Sequence, residues 1–164
     1  MAHIRTATTW LYILGGAILL GATIYQMIVV VPAFAYDLPN SMAAFNETAV
    51  KTPAFWTSPI GPLTGVFGLV AVLTSRRTPA FRWLLLSVVL ALLAEVVTFV
   101  WVFPMLKAMG FIAGATKPVA DAALAAVTRR WVVVDELRCV FLVVPSFVAG
   151  LFGFQKLGLP STGT

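Results

Sequence analysis

Four unbroken apolar blocks, each about 20 residues long, set what this chain can fold into. They run over about 10–34, 56–73, 81–104 and 131–154. A helix of that length spans a hydrocarbon core of about 30 Å. A membrane β-barrel would instead show stretches of roughly ten residues with alternating polarity. Lipid cannot satisfy a backbone donor or acceptor, so the helix is the spanning element left. Composition agrees: of 164 residues 60% are hydrophobic and only 10% charged, far more apolar than a soluble domain. The expected fold is all-α: a single transmembrane domain over 1–164, built as an integral membrane four-helix bundle of two tandem helical hairpins. Short extramembrane helices in the outer loops complete it.

The connections refine this picture. The loop between the second and third blocks is short and holds Arg76, Arg77 and Arg82, so the positive-inside rule places it, with both termini, in the cytoplasm. With Lys107, Lys117, Arg129 and Arg130 on the other face the totals are five and five, so the orientation rests on the short arginine-rich loop. The expected location is the cytoplasmic (inner) membrane. The two longer connections then share the outer side. One, Asp37 to Phe55, reads as a short helix over Ser41–Val50. In the other, Gly110 and Gly114 break the pattern, and Thr116-Lys117-Pro118 starts an alanine-rich stretch that runs into the fourth block as one long helix, with Pro145 as its kink. VVVPAFAY, ending block one, echoes VWVFPMLK, ending block three.

The net charge of +5 is that of a basic membrane protein attracted to membrane lipids; no nucleic-acid partner follows from it. A lone cysteine, Cys139, excludes an intrachain disulfide. His3 is the only histidine, so haem and histidine-ligated metals are disfavoured, and no cofactor or metal site is predicted. A homo-oligomer is compatible with the sequence.

Chemistry concentrates in the outer half. Ionisable side chains within a spanning helix cost about 2.5–3.5 kcal/mol each, so they normally face the bundle interior. Glu95, Asp135, Glu136 and Arg138 are such residues. At about 1.5 Å per residue, Glu95 lies roughly 13 Å inside Pro104 and Arg138 roughly 12 Å inside Arg130. Their helices are antiparallel, so the two share a depth. Gln26 reaches the same level from the first helix. The three are expected to meet, with Glu95, Asp135 and Arg138 as candidate catalytic residues. Trp131, Asp135 and Arg138 share a helical face from which Glu136 points away. With Gln26, Tyr36, Trp56, Thr98 and Trp101, and with Glu136 as a further substrate-binding residue, they are expected to wall a pocket for a lipophilic small molecule. The alternative is a buried ion pair that fixes helix register, with the tryptophans as an interfacial belt. Gly15-Gly16, Gly21, Gly65 and Gly68 are expected to allow close helix packing.

GATIYQMIVVVPAFA, TFVWVFPMLKAM and above all RRWVVVDELR resemble the anthrone oxygenase-like family of small four-helix membrane proteins. Its members show a proline in the first two motifs and a Trp, polar, Arg pattern in the third. This chain has Asp135 near where that family has Asn, Glu136 near its His, and Val102-Phe103 before Pro104 where Asn-Val is common. The resemblance implies a site at Trp131, Asp135 and Arg138, shaped by Pro32 and Pro104. It also implies oxygenation of phenolic polycyclic ketones without a conventional cofactor. In that chemistry a carboxylate, Glu95 or Asp135, removes a proton and Arg138 stabilises the resulting anion. The competing reading is a lipid- or quinone-binding or accessory subunit with a structural Glu–Arg pair.

Overall fold

A computed structural model describes residues 2–38, 40–41, 44, 59–110 and 121–157. The short helix expected over 41–50 falls largely outside them, as do Trp56 and the turn at 116–118. Among the described residues the secondary structure is helical, with no strand. Four long helical stretches stand out among the described residues. The first joins α1 (Ala2–Tyr25), a π-helical turn (Gln26–Val30) and α2 (Val31–Ala35). The second is α3 (Ile60–Thr74). The third joins α4 (Phe81–Val97), a π turn (Thr98–Val102) and α5 (Phe103–Ala108). The fourth joins α6 (Asp121–Arg138), a π turn (Cys139–Val143) and α7 (Val144–Gln155).

Three of them are long and apolar enough to cross a membrane: His3–Ala33, Phe81–Ala108 and Ala122–Gln155. The second is shorter, 15 residues, or about 22 Å at the α-helical rise. The first helix begins eight residues before the expected boundary at Trp10, because Thr8 and Thr9 turn their hydroxyls onto backbone carbonyls of the preceding turn and leave it unbroken. The third helix stops at Gly110, whose φ of 84° only glycine adopts readily. The fourth runs through from Asp121, so the alanine-rich stretch does extend it.

The first helix packs on the second and the third on the fourth, while fourth against first and second against third close the ring. All four contacts are antiparallel. Two glycines set the closest approaches. A Cβ on Gly15 would overlap the Thr64 hydroxyl, and one on Gly153 would lie 2.7 Å from the Leu84 side chain. Gly68 likewise accepts the Tyr12 ring, but Gly21 and Gly65 face open space and play no packing part. A polar stitch ties three helices in the half that carries residues 2 and 157: Ser87 Oγ donates to the Ser146 carbonyl (2.6 Å) and Ser146 Oγ to the Ser87 carbonyl (2.9 Å). Since the Ser87 proton is committed, the Tyr12 hydroxyl is the donor in its 2.7 Å contact with Ser87 Oγ.

Each π turn precedes a proline by the same interval, at Pro32, Pro104 and Pro145. The pyrrolidine ring clashes with the carbonyl four residues back and supplies no N–H. Widening the turn by one residue relieves that clash. The N–H groups of Val31, Phe103 and Val144 accordingly reach back five residues, to the carbonyls of Gln26, Thr98 and Cys139. The expected kink at Pro145 is thus one of three equivalent features, and the echo between the first and third blocks extends to the fourth.

Much of the apolar surface faces outward. Ile28, Leu92, Phe99 and Phe141 are all more than half exposed, an arrangement suited to lipid contact and costly in water. Buried residues form two cores. One, around Leu84, Ala71 and Tyr12, occupies the half with residues 2 and 157; the other, around Val102, Met109, Leu124 and Trp131, fills the opposite, distal half.

Candidate functional site

The site grows out of the fourth helix. Asp135 and Arg138 are three residues apart and therefore on one face. Arg138 donates Nε–H to Asp135 Oδ1 at 2.9 Å, and its Nη2 lies 2.7 Å from the same oxygen. Nη1 donates to Thr98 Oγ1 at 2.8 Å. That threonine opens the π turn of the third helix and spends its own proton on the Ala94 carbonyl, so its lone pairs are fixed toward the guanidinium. Thus one arginine bridges two helices. Burial is deep: the side chains of Arg138 and Asp135 are 11% and 3% exposed. Removing either partner from a buried pair typically costs about 3–5 kcal/mol.

A guanidinium carries five N–H donors, and three are used here. The remaining two sit in a side chain that lines a groove of about 430 Å³ between the third and fourth helices. Its other walls are Val97, Trp101, Val134, Leu137, Phe141 and Leu142, all apolar. The size and chemistry suit a lipophilic ligand with one polar anchor.

On the opposite flank of the fourth helix, a recess of about 20 Å³ lies against the first helix, lined by Met27, Val31, Trp131, Val132, Asp135 and Glu136. Asp135 lines it, and its Oδ2 is buried without a hydrogen-bond partner among the described residues.

The structure therefore assembles part of the predicted constellation. Asp135, Arg138 and Thr98 meet, and Trp101 lines the groove beside them. Trp131 is 1% exposed in the distal core, packed with Val102, Met109 and Leu124, so it belongs to no interfacial belt. Glu136 is exposed and lines the same recess as Asp135, apart from the groove that Arg138 lines. Tyr36 is 89% exposed, one residue past the last helical turn, and lines neither the groove nor the recess.

The expected meeting of Glu95, Gln26 and Arg138 does not occur. Arg138 takes its partners from Asp135 and Thr98, and Glu95 is exposed. The depth was right but the azimuth was wrong. Ala94 and Thr98 turn toward the fourth helix, whereas Glu95 lies about 100° round from Ala94. It shares a stripe with Val88, seven residues earlier, and Val88 packs near Gly68 of the second helix. Gln26 is half-buried at the start of the first π turn and makes no hydrogen bond to Arg138.

Sequence reasoning missed the groove walls Val97, Leu137 and Phe141. Their signal was present as apolar residues flanking Arg138 at helical spacing, but the same pattern describes any lipid-facing surface. Among the described residues no three of His, Cys, Asp and Glu cluster to hold a metal. No protein family, curated protein or solved structure matches the chain.

Proposed function

We propose that the chain is an integral four-helix bundle of the cytoplasmic membrane, with both termini inside, and that it is an enzyme acting on a lipophilic small molecule by proton abstraction. The observation that carries this reading is the anchored guanidinium of Arg138, with two N–H donors to spare, in the wall of an apolar groove. Asp135 already neutralises Arg138. A ligand with a neutral acceptor oxygen keeps the site uncharged, whereas a carboxylate would add a net negative charge in low dielectric, at high cost. Ketone or phenol character in an aromatic or isoprenoid-like molecule fits this condition.

Arg138 then lies between two oxygen acceptors, Asp135 and the ligand. If the ligand loses a proton and Asp135 gains it, the negative charge passes from one side of the guanidinium to the other with no change in total. That is electrostatic stabilisation of a developing anion by a preorganised donor. Oxygenation of the anion without a conventional cofactor is the further step that the resemblance to the anthrone oxygenase-like proteins implies. Glu95 has no part in this arrangement.

A second reading has its own support. Asp135 does not line the groove, as expected of a binding or accessory subunit whose ion pair only holds Arg138 in place. Purified protein in lipid nanodiscs, offered neutral aryl ketones and quinones, separates the two. Turnover that is lost in both Asp135→Asn and Arg138→Lys supports the enzyme. Binding without turnover, weakened in Arg138→Lys and retained in Asp135→Asn, supports the binder, and neither binding nor turnover rejects both.

A further inference from the structure

The recess between the first and fourth helices brings carboxylates and backbone acceptors together with the indole of Trp131. Asp135 Oδ2 is buried there with no donor. Met27, in the same wall, belongs to the first π turn: Val31 N–H goes to Gln26, and Pro32 has no N–H. The Met27 carbonyl therefore receives neither of the donors that lie four and five residues along a helix. Glu136 adds a carboxylate at the exposed mouth. A buried acceptor left unpaired costs about 1–3 kcal/mol. What fits must donate to Asp135, and it must be small. A volume of about 20 Å³ exceeds the 10–15 Å³ or so that one water needs and excludes any organic ligand.

We propose that this recess binds a single water molecule, which donates one hydrogen bond to the ionised Asp135 Oδ2 and one to the Met27 carbonyl and which, once Asp135 is protonated, accepts from it and turns the freed O–H toward Glu136. It connects Asp135 to Glu136 on the flank of the fourth helix away from the groove. The groove side handles the lipophilic ligand, and the recess side exchanges protons with the exterior. A proton leaving Asp135 passes to the water as the water gives one of its own to Glu136, so each hop conserves charge and leaves the water unchanged. The route serves the proposed proton abstraction and rests on that reading, but the water site stands without it.

The test needs no substrate. Full-length protein in lipid nanodiscs is studied by infrared spectroscopy, with the Asp135 bands assigned by their loss in Asp135→Asn. Val31→Phe fills the recess, and Val31→Leu is the milder version should the first fail to fold. The Asp135 bands are expected to shift when the recess is filled. On transfer to D2O the isotope shift of those bands is expected to be at least tenfold slower in Glu136→Leu than in the parent. Identical bands in the parent and both Val31 variants overturn the water site. An isotope shift equally fast in Glu136→Leu overturns the route. A protein that shows both effects yet converts no lipophilic substrate leaves the site standing and removes only the enzymatic reading.

Discussion

Arg138 spends two donors on a single oxygen of Asp135: Nε and Nη2 both reach Oδ1, at 2.9 and 2.7 Å, while Oδ2 is buried without a partner among the described residues. The pair is therefore asymmetric, and each partner keeps unused hydrogen-bonding capacity toward a different space. A purely structural buried pair gains most when both oxygens and the guanidinium fork are mutually satisfied.

The energetics of the pair give the first prediction. Arg138→Met or Asp135→Leu alone strands an uncompensated buried charge and is expected to cost about 3–5 kcal/mol of stability. The double variant removes both charges and is expected to recover most of that loss, while ligand binding in the groove stays abolished. Unfolding in detergent, followed by circular dichroism, measures the first part and ligand titration the second. A double variant no more stable than its parents would show that the charges are not coupled.

Thr98 is a positioning residue for Arg138. Thr98→Val keeps the volume and removes the oxygen that accepts from Nη1, leaving a buried charged donor unpaired at a cost of about 1–3 kcal/mol. Thr98→Ser keeps the oxygen and is expected to stay near the parent. Ligand affinity in the groove should follow the same order, since a freed Nη1 no longer holds the guanidinium plane. Equal affinities for Val and Ser variants in a titration would remove Thr98 from that role.

How much of this was legible in the sequence depends on which coordinate is asked for. Length along a helix converts to depth at a fixed rise, so the level of Arg138 and its neighbourhood with the third helix could be read, as could Asp135 on the same face. Rotation about the axis could not. The π turn at Thr98 adds a residue to its turn, and nearly every position around a lipid-solvated helix is apolar, so no moment separates inside from outside. Glu95 shows the consequence, falling at a permitted depth on another flank. Trp131 shows the converse. A tryptophan near a helix end suits an interfacial belt, but α6 continues ten residues before it, which sinks the ring into the core.

Glu95 supplies a third prediction. It lies near the midpoint of Phe81–Ala108, about 20 Å from either end, and is exposed. Glu95→Leu is expected to leave the Asp135–Arg138 pair and ligand binding unchanged and to make insertion more favourable, by about 2.5–3.5 kcal/mol on insertion scales. A translocon insertion assay on the third helix reads the second effect. Loss of ligand binding in Glu95→Leu would return the residue to the site.

The prolines give the last prediction. Pro104 forces the π turn that begins at Thr98, because its ring and missing N–H forbid the ordinary bond to the residue four back. Pro104→Ala restores an N–H, and the third helix is then free to close into a regular α-helix. One residue fewer in that turn rotates Trp101 and everything beyond it relative to Val97, so the groove walls move out of register while Thr98 keeps its place below the turn. Stability is expected to be unchanged or to rise, since alanine favours a helix interior by up to about 3 kcal/mol over proline. Ligand affinity is expected to fall about tenfold or more. Thermal unfolding and ligand titration on the same preparation are the check. A variant that gains stability and keeps full affinity would show that the groove does not need the widened turn, whereas a gain in stability with loss of binding identifies the turn as the feature that holds the groove open.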